Sequence, residues 1–128
     1  REAPRPLLAA VIVLDQFSRN LARGRAEAFA HDPAALALTR LALARGFDAG
    51  MSGEEKQFLY MPLMHSEALA DQVECERLMD AAGLEEATDF ARRHREIIAR
   101  FGRFPHRNAT LGRISTPEET AFLKEPGS

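Results

Sequence analysis

The chain has no tryptophan, a single tyrosine and a single cysteine. One cysteine excludes an internal disulfide and fits a reducing compartment, so a cytoplasmic location is expected. Long apolar runs are also missing. The strongest, Leu7 to Leu14, is too short to span a bilayer, and no membrane partner is expected. No signal-peptide pattern opens the chain. It starts at Arg1 rather than methionine, so an upstream portion is expected to be missing. Excess charge is absent too. A net charge of -2 argues against a general nucleic-acid coat protein, and nucleic acid is not an expected partner. There is no Gly-Lys phosphate loop and no dinucleotide fingerprint. The histidine spacing matches no known zinc pattern. No metal and no cofactor are expected.

What is present is enough for one helical domain over residues 1–128. Apolar residues make up 45% of 128, sufficient for a single core. Leu7 to Leu14 is the one strand candidate, but its alanines favour a helix, and apolar character on every side predicts burial. Asp32-Pro33 is a helix start, an acid cap followed by a first-turn proline. Gly46, Gly83 and Gly102 are the expected stops. Ser52-Gly53-Glu54-Glu55 and Thr116-Pro117-Glu118-Glu119 read as capping boxes. The first opens a helix disturbed near Pro62, and a further helix resumes through Ala68 to Ala82. The longest helix is predicted from about Leu84 to Phe101. Phe90, His94, Ile97 and Phe101 share one face by helical spacing and are predicted to face the core. Five or six helices and no sheet follow.

Charge is unevenly placed. From Glu67 to Asp89 there are eight acids against one base, and from Arg92 to Arg113 seven arginines against one acid. The favoured reading is two neighbouring segments that neutralise each other across a packed pair; the sharper one is an anion-binding face on the second.

Two loop-like segments carry most of the specialised chemistry. Asp15-Gln16-Phe17-Ser18-Arg19-Asn20 is followed by Gly24, and Arg103-Phe104-Pro105-His106-Arg107-Asn108 by Gly112. Each holds Arg-Asn, three residues, then Gly, after an apolar run. Asp15 ends an apolar helix, where a carboxylate needs donors. Arg19, Arg103 or Arg107 can supply them, and the two segments are predicted to meet. A structural latch is the favoured reading; a carboxylate that orients a ligand-binding arginine is the functional one. His65 and His94 sit at helical spacing on apolar faces, where a satisfied core histidine is the commoner outcome. With Glu67 and His106 they form an acid–base alternative. Cys75, on an acidic helix, is a poor nucleophile.

These residues carry a resemblance. Leu14-Asp15-Gln16-Phe17-Ser18-Arg19-Asn20 with Arg23-Gly24 is its first motif. Phe58-Leu59-Tyr60-Met61-Pro62-Leu63-Met64-His65-Ser66-Glu67 is the second. Arg92-Arg93-His94-Arg95-Glu96-Ile97-Ile98 with Arg100 to Asn108 is the third. In this order they resemble the bacterial family called domain of unknown function 924. The resemblance implies an all-α, tetratricopeptide-like array of packed antiparallel helices. It implies no activity. Members usually carry an upstream helical segment with tryptophan, which this chain lacks, and many have proline where Ser18 stands.

Two classes of function lead, ahead of RNA contact through the arginine-rich segment, which the acidic overall balance and the internal Arg–acid pairs disfavour. The first is a binding module with a site for a small anion, carboxylate or peptide, drawn from Asp15, Gln16, Arg19, Asn20, His65, Glu67, His94, Arg103, His106, Arg107 and Asn108. The second is a hydrolase of a small anionic substrate, with histidine and carboxylate proton transfer and arginine charge stabilisation.

Overall fold

The computed structural model describes residues 4–13 and 32–125. Among them are six α-helices and no strand, as the caps and stops predicted. The helices are α1 (Pro4–Ile12), α2 (Asp32–Ala44), α3 (Gly53–Met64), α4 (Leu69–Ala81), α5 (Glu85–Phe101) and α6 (Pro117–Leu123), with short 3-10 turns at Phe47–Gly50 and Pro105–Arg107. Helices adjacent in sequence pack on one another from α2 to α5, and α1 packs on α2 and α3.

The boundaries follow local chemistry. Ser52 Oγ accepts from the Glu55 N–H at 3.2 Å, and the Glu55 carboxylate accepts from the Ser52 N–H at 2.9 Å. Both orphan donors at the start of α3 are thereby satisfied. α4 ends at Gly83, whose φ of +74° lets the Leu84 N–H return to the Met79 carbonyl at 3.1 Å. That closure reverses the chain into α5. α3 continues through Pro62 to Met64, although the proline cannot donate to the carbonyl one turn back. Its end is closed by Gln72, fully buried in α4. The Gln72 amide donates to the Met64 and Ser66 carbonyls at 2.7 and 2.6 Å.

The core gathers Leu7, Val11, Leu59, Leu63, Cys75, Met79 and Ala91. Thr39 Oγ1 ties α2 to α3 by donating to the Leu59 carbonyl at 2.8 Å. Two expectations need correction. α1 is buried on one face, with Leu7, Leu8 and Val11 inside, while Val13, one residue past its end, is 55% exposed. The inward face of α5 is not the aromatic stripe either. Phe90 is 53% exposed, and Ala87, Thr88, Ala91 and Ile98 are buried instead. Small side chains let α5 approach α4 closely, and among the described residues this is the most extensive helix pair. The larger residues are displaced to the flanks, where Arg93 lies over the Phe90 ring and Arg100 over the Phe101 ring.

The acidic and basic segments neutralise each other only in part. Glu76 of α4 meets Arg92 and Arg95 of α5. Asp71 turns the other way, to Arg40 of α2 at 2.6 Å and the Ser66 hydroxyl at 2.6 Å.

The segment after α5 is held by one connected polar network. Glu67, in the loop between α3 and α4, is forked by Arg113 at 2.9 and 3.0 Å and also accepts from the Phe104 N–H at 2.6 Å. Arg113 Nε donates to Asn108 Oδ1 at 3.0 Å. Asn108 Nδ2 donates to Glu119 at 3.2 Å and to the Ser115 hydroxyl at 3.0 Å. Glu119 is forked by Arg103 at 2.8 and 2.9 Å and accepts from the Thr116 N–H at 2.9 Å, completing the cap of α6. Gly112, with φ +69°, turns the chain so that Arg113 reaches back. The Phe101 and Phe122 rings meet at a tilt of 54°, their centroids 5.1 Å apart, beside this network.

Two outcomes are expected. Ile98→Ala should lower unfolding free energy by about 2–5 kcal/mol, the range for a truncated core aliphatic. Phe90→Ala should lower it by under about 1 kcal/mol, as for an exposed side chain. Urea melts that rank the two in the reverse order would refute the α5 register. The second outcome concerns acid. The Arg103 fork and the Thr116 N–H hold the Glu119 carboxyl down, from 4.5 to about 2. A depressed carboxyl stabilises the fold fully above its unfolded value and loses that contribution as pH falls toward the folded one. Glu119→Gln should therefore be less stable than the wild type at neutral pH. The gap should close between about pH 4.5 and 2. A gap independent of pH would mean that the carboxylate charge is not what matters.

Candidate functional site

Phe104 is the residue around which the candidate site is arranged. It is buried, and its N–H is fixed on Glu67. The Arg107 guanidinium lies 4.7 Å from its ring centroid, and the His94 ring meets it edge-on at 5.5 Å. Arg107 Nη2 donates to the His65 carbonyl at 2.7 Å. The end of α3, the middle of α5 and the 3-10 turn at Pro105–Arg107 thus converge on one ring.

Two cavities flank this point and share His65 as a wall. One, of about 230 Å³, is lined by Asp32, Pro62, His65, Glu67 and Arg107. The other, of about 310 Å³, is lined by Gln57, Met61, Met64, His65, Phe90 and His94. Four sequence candidates therefore border open space: His65, Glu67, His94 and Arg107.

Their chemistry differs. His94 Nδ1 lies 2.8 Å from the Phe90 carbonyl, which can only accept. Nδ1 therefore carries the proton, and in the neutral ring Nε2 is the lone-pair nitrogen. Burial lowers the pKa of His94 most. The Phe90 carbonyl works in the opposite direction, and His65, Arg107 and His106 lower it further. The neutral form is favoured as a result. Glu67 behaves otherwise. Burial would raise its carboxyl, but the Arg113 fork and the Phe104 N–H outweigh burial and hold it low. With both oxygens engaged, it serves as a clamp rather than a proton acceptor.

The remaining candidates lie elsewhere in the fold. Arg103 and Asn108 belong to the network under α6. His106 is exposed and sits edge-on against Phe122 at 5.6 Å. Asp15, Gln16, Arg19 and Asn20 lie outside the described residues, and with them the expected meeting of the two segments. Cys75 is buried, and burial, with Glu76 adding to it, pushes its thiol up to about 12. Among the described residues, no group of three His, Cys, Asp or Glu side chains is arranged to hold a metal ion. No described helix is long and apolar enough to cross a membrane.

Sequence reasoning missed two residues that organise the site. Glu119 was legible only as the second half of a capping box. That half must fold back on the helix start, and here it is also 2% exposed. Arg113 follows the glycine that ends the Arg-Asn pattern, a position from which a side chain can return across the turn.

Comparison with known proteins agrees with this architecture. A solved structure of a protein of unknown function from Agrobacterium tumefaciens matches with a TM-score of 0.91 and 41% identity, over 96% of this chain and 69% of that one. No curated protein matches significantly. The family model for bacterial proteins of unknown function, DUF924, matches residues 1–127. The resemblance carried by the three motifs is therefore a membership: the chain belongs to the DUF924 family.

Proposed function

We propose that the protein is a binding module whose site for a small organic anion is the pair of cavities meeting at His65. The observation that carries this reading is the setting of His94. The ring is anchored through Nδ1 on the Phe90 carbonyl and meets edge-on the Phe104 ring, whose face carries the Arg107 guanidinium. The Arg107 charge favours an anion beside it, and apolar walls weaken its screening. Arg107, which also donates to the His65 carbonyl, is the arginine of a wall that it shares with Asp32 and Glu67. The terminal carboxylate of a peptide offers the same group as a free acid. A tetratricopeptide-like pairing of helices and a cytoplasmic location belong to the same reading. They are supported by the packing of consecutive helices and by the single buried cysteine.

One observation favours a second reading, a hydrolase acting on a small anionic substrate. The fixed tautomer presents Nε2 as a base. It would take a proton from water while the hydroxide adds to an acyl carbon, and return that proton to the leaving group. In that case His94→Gln abolishes turnover of an anionic ester and spares its binding.

The binding reading makes a pH prediction. The free protein favours neutral His94, and a bound anion favours the imidazolium. Binding therefore takes up a proton. Affinity rises as pH falls from the pKa of the complex toward the lower pKa of the free protein. Acetate titrated by NMR between about pH 7.5 and 5.5 should bind more tightly at the acid end. His94→Gln should flatten that dependence. Absence of acetate binding at every pH, or the same slope in the variant, would refute the reading.

A further inference from the structure

His94 carries an unused acceptor on the wall of an apolar cavity. Its ring is fixed from two sides, by the Nδ1 contact with the Phe90 carbonyl and by the edge-on meeting with the Phe104 ring. The neutral tautomer set by that contact leaves the lone pair on Nε2. Among the described residues Nε2 has no hydrogen-bond partner. It is not sealed off either, because among those residues the buried side-chain polar atom without a partner is Gln72 Oε1. Nε2 is therefore reachable from open space, and His94 borders the larger cavity. The other walls are chiefly Met61, Met64, Ala87 and the half-exposed ring of Phe90. A volume of about 310 Å³ lies at the small end of ligand pockets, enough for one aromatic ring.

We propose that the larger cavity binds a small neutral aromatic molecule bearing a hydroxyl, whose O–H donates to His94 Nε2 and whose ring packs against Met61, Met64 and Phe90. This goes beyond the anion reading and needs neither Arg107 nor the smaller cavity. Each feature of the ligand follows from a wall. A guest that fills the cavity strips water from Nε2, and an acceptor without water needs a donor. A hydroxyl supplies one. A carboxylate beside Nε2 needs the ring protonated first, and burial opposes that protonation. An ammonium would bring a second positive charge toward Arg107, whose guanidinium lies on the same Phe104 ring that His94 meets. The aromatic body follows from the methionines and Phe90. Thioethers make favourable contacts with ring edges, and an exposed phenyl ring takes a second ring edge-to-face or offset.

The experiment uses the whole chain, with methionine methyls labelled in carbon-13 and histidines in nitrogen-15. The chain has four methionines and four histidines, so each resonance can be assigned. Phenol, anisole and cyclohexanol are titrated in turn at about pH 7.5, where a phenolic hydroxyl is neutral. Phenol should shift the Met61 and Met64 methyls and the His94 Nε2 resonance, and leave Met51 and Met79 in place. Anisole keeps the ring and the oxygen but has no O–H. It should bind at least about fivefold more weakly, the lower end for an acceptor left unpaired, and should not reproduce the Nε2 shift. Cyclohexanol keeps the hydroxyl on a saturated ring. It should bind at least about twofold more weakly, through loss of the sulfur–aromatic and ring–ring contacts. Phe90→Ala, at an exposed position that leaves the core intact, should weaken phenol more than cyclohexanol. Equal affinity for phenol and anisole would overturn the role of His94 as acceptor. Equal affinity for phenol and cyclohexanol would overturn the aromatic class. Met61 and Met64 methyls unmoved by all three would overturn the whole proposal and leave the anion reading to its own acetate titration.

Discussion

The fork of Arg113 on Glu67 is the contact on which the rest of the C-terminal half depends. An exposed ion pair contributes about 0–1 kcal/mol, too little to place a segment. This one differs in kind. Both side chains are only about a quarter exposed, the geometry is bidentate, and each partner has a further bond. Removing one member would leave a largely desolvated charge behind, and that penalty exceeds the attraction lost. The pair joins residues 46 apart in sequence and so closes the loop after α5 onto the end of α3.

From that closure the geometry of the candidate site follows. Glu67 takes the Phe104 N–H, so the backbone of Phe104 is fixed before its ring is placed. The ring then presents a face to Arg107 and an edge to His94. An arginine over an aromatic face loses fewer rotamers on binding than one in open solvent. The network under α6 thereby preorganises the site, although none of its carboxylates is available for chemistry. Arg103 and Glu119 contribute to the cleft only by holding the turn that carries Arg107.

What was legible in the sequence was local. Ser52 with Glu55, Thr116 with Glu119, and the glycines after α2, α4 and α5 act within one turn of the chain, and residues three or four apart must meet there. The register of α5 was not legible. Aromatic spacing and small-residue spacing both fit a helical period, and only the approach of α4 decides between them. The arginine-rich stretch advertised charge but not partners. Arg103 and Arg113 pair with carboxylates 16 and 46 residues away, and Arg107 with a carbonyl 42 away. The cavity walls were hidden for the same reason. Met61, Met64 and Phe90 read as ordinary core residues until α3 and α5 are placed side by side.

The Arg-Asn-Gly pattern becomes intelligible through Asn108. This position needs a group that donates to the Glu119 carboxylate and accepts from the Arg113 guanidinium at once. A primary amide does both without net charge. Aspartate would attract Arg113 but set a like charge about 3 Å from Glu119, in a place with almost no water. Leucine would match the volume and strand both neighbours. The three residues between Asn108 and Gly112 give the turn its length, and the Arg113 N–H closes it on the Asn108 carbonyl at 2.7 Å. Spacing and residue types are thus set together by one buried amide between two ions. Arg19-Asn20 with Gly24, followed by Arg25, repeats that spacing outside the described residues.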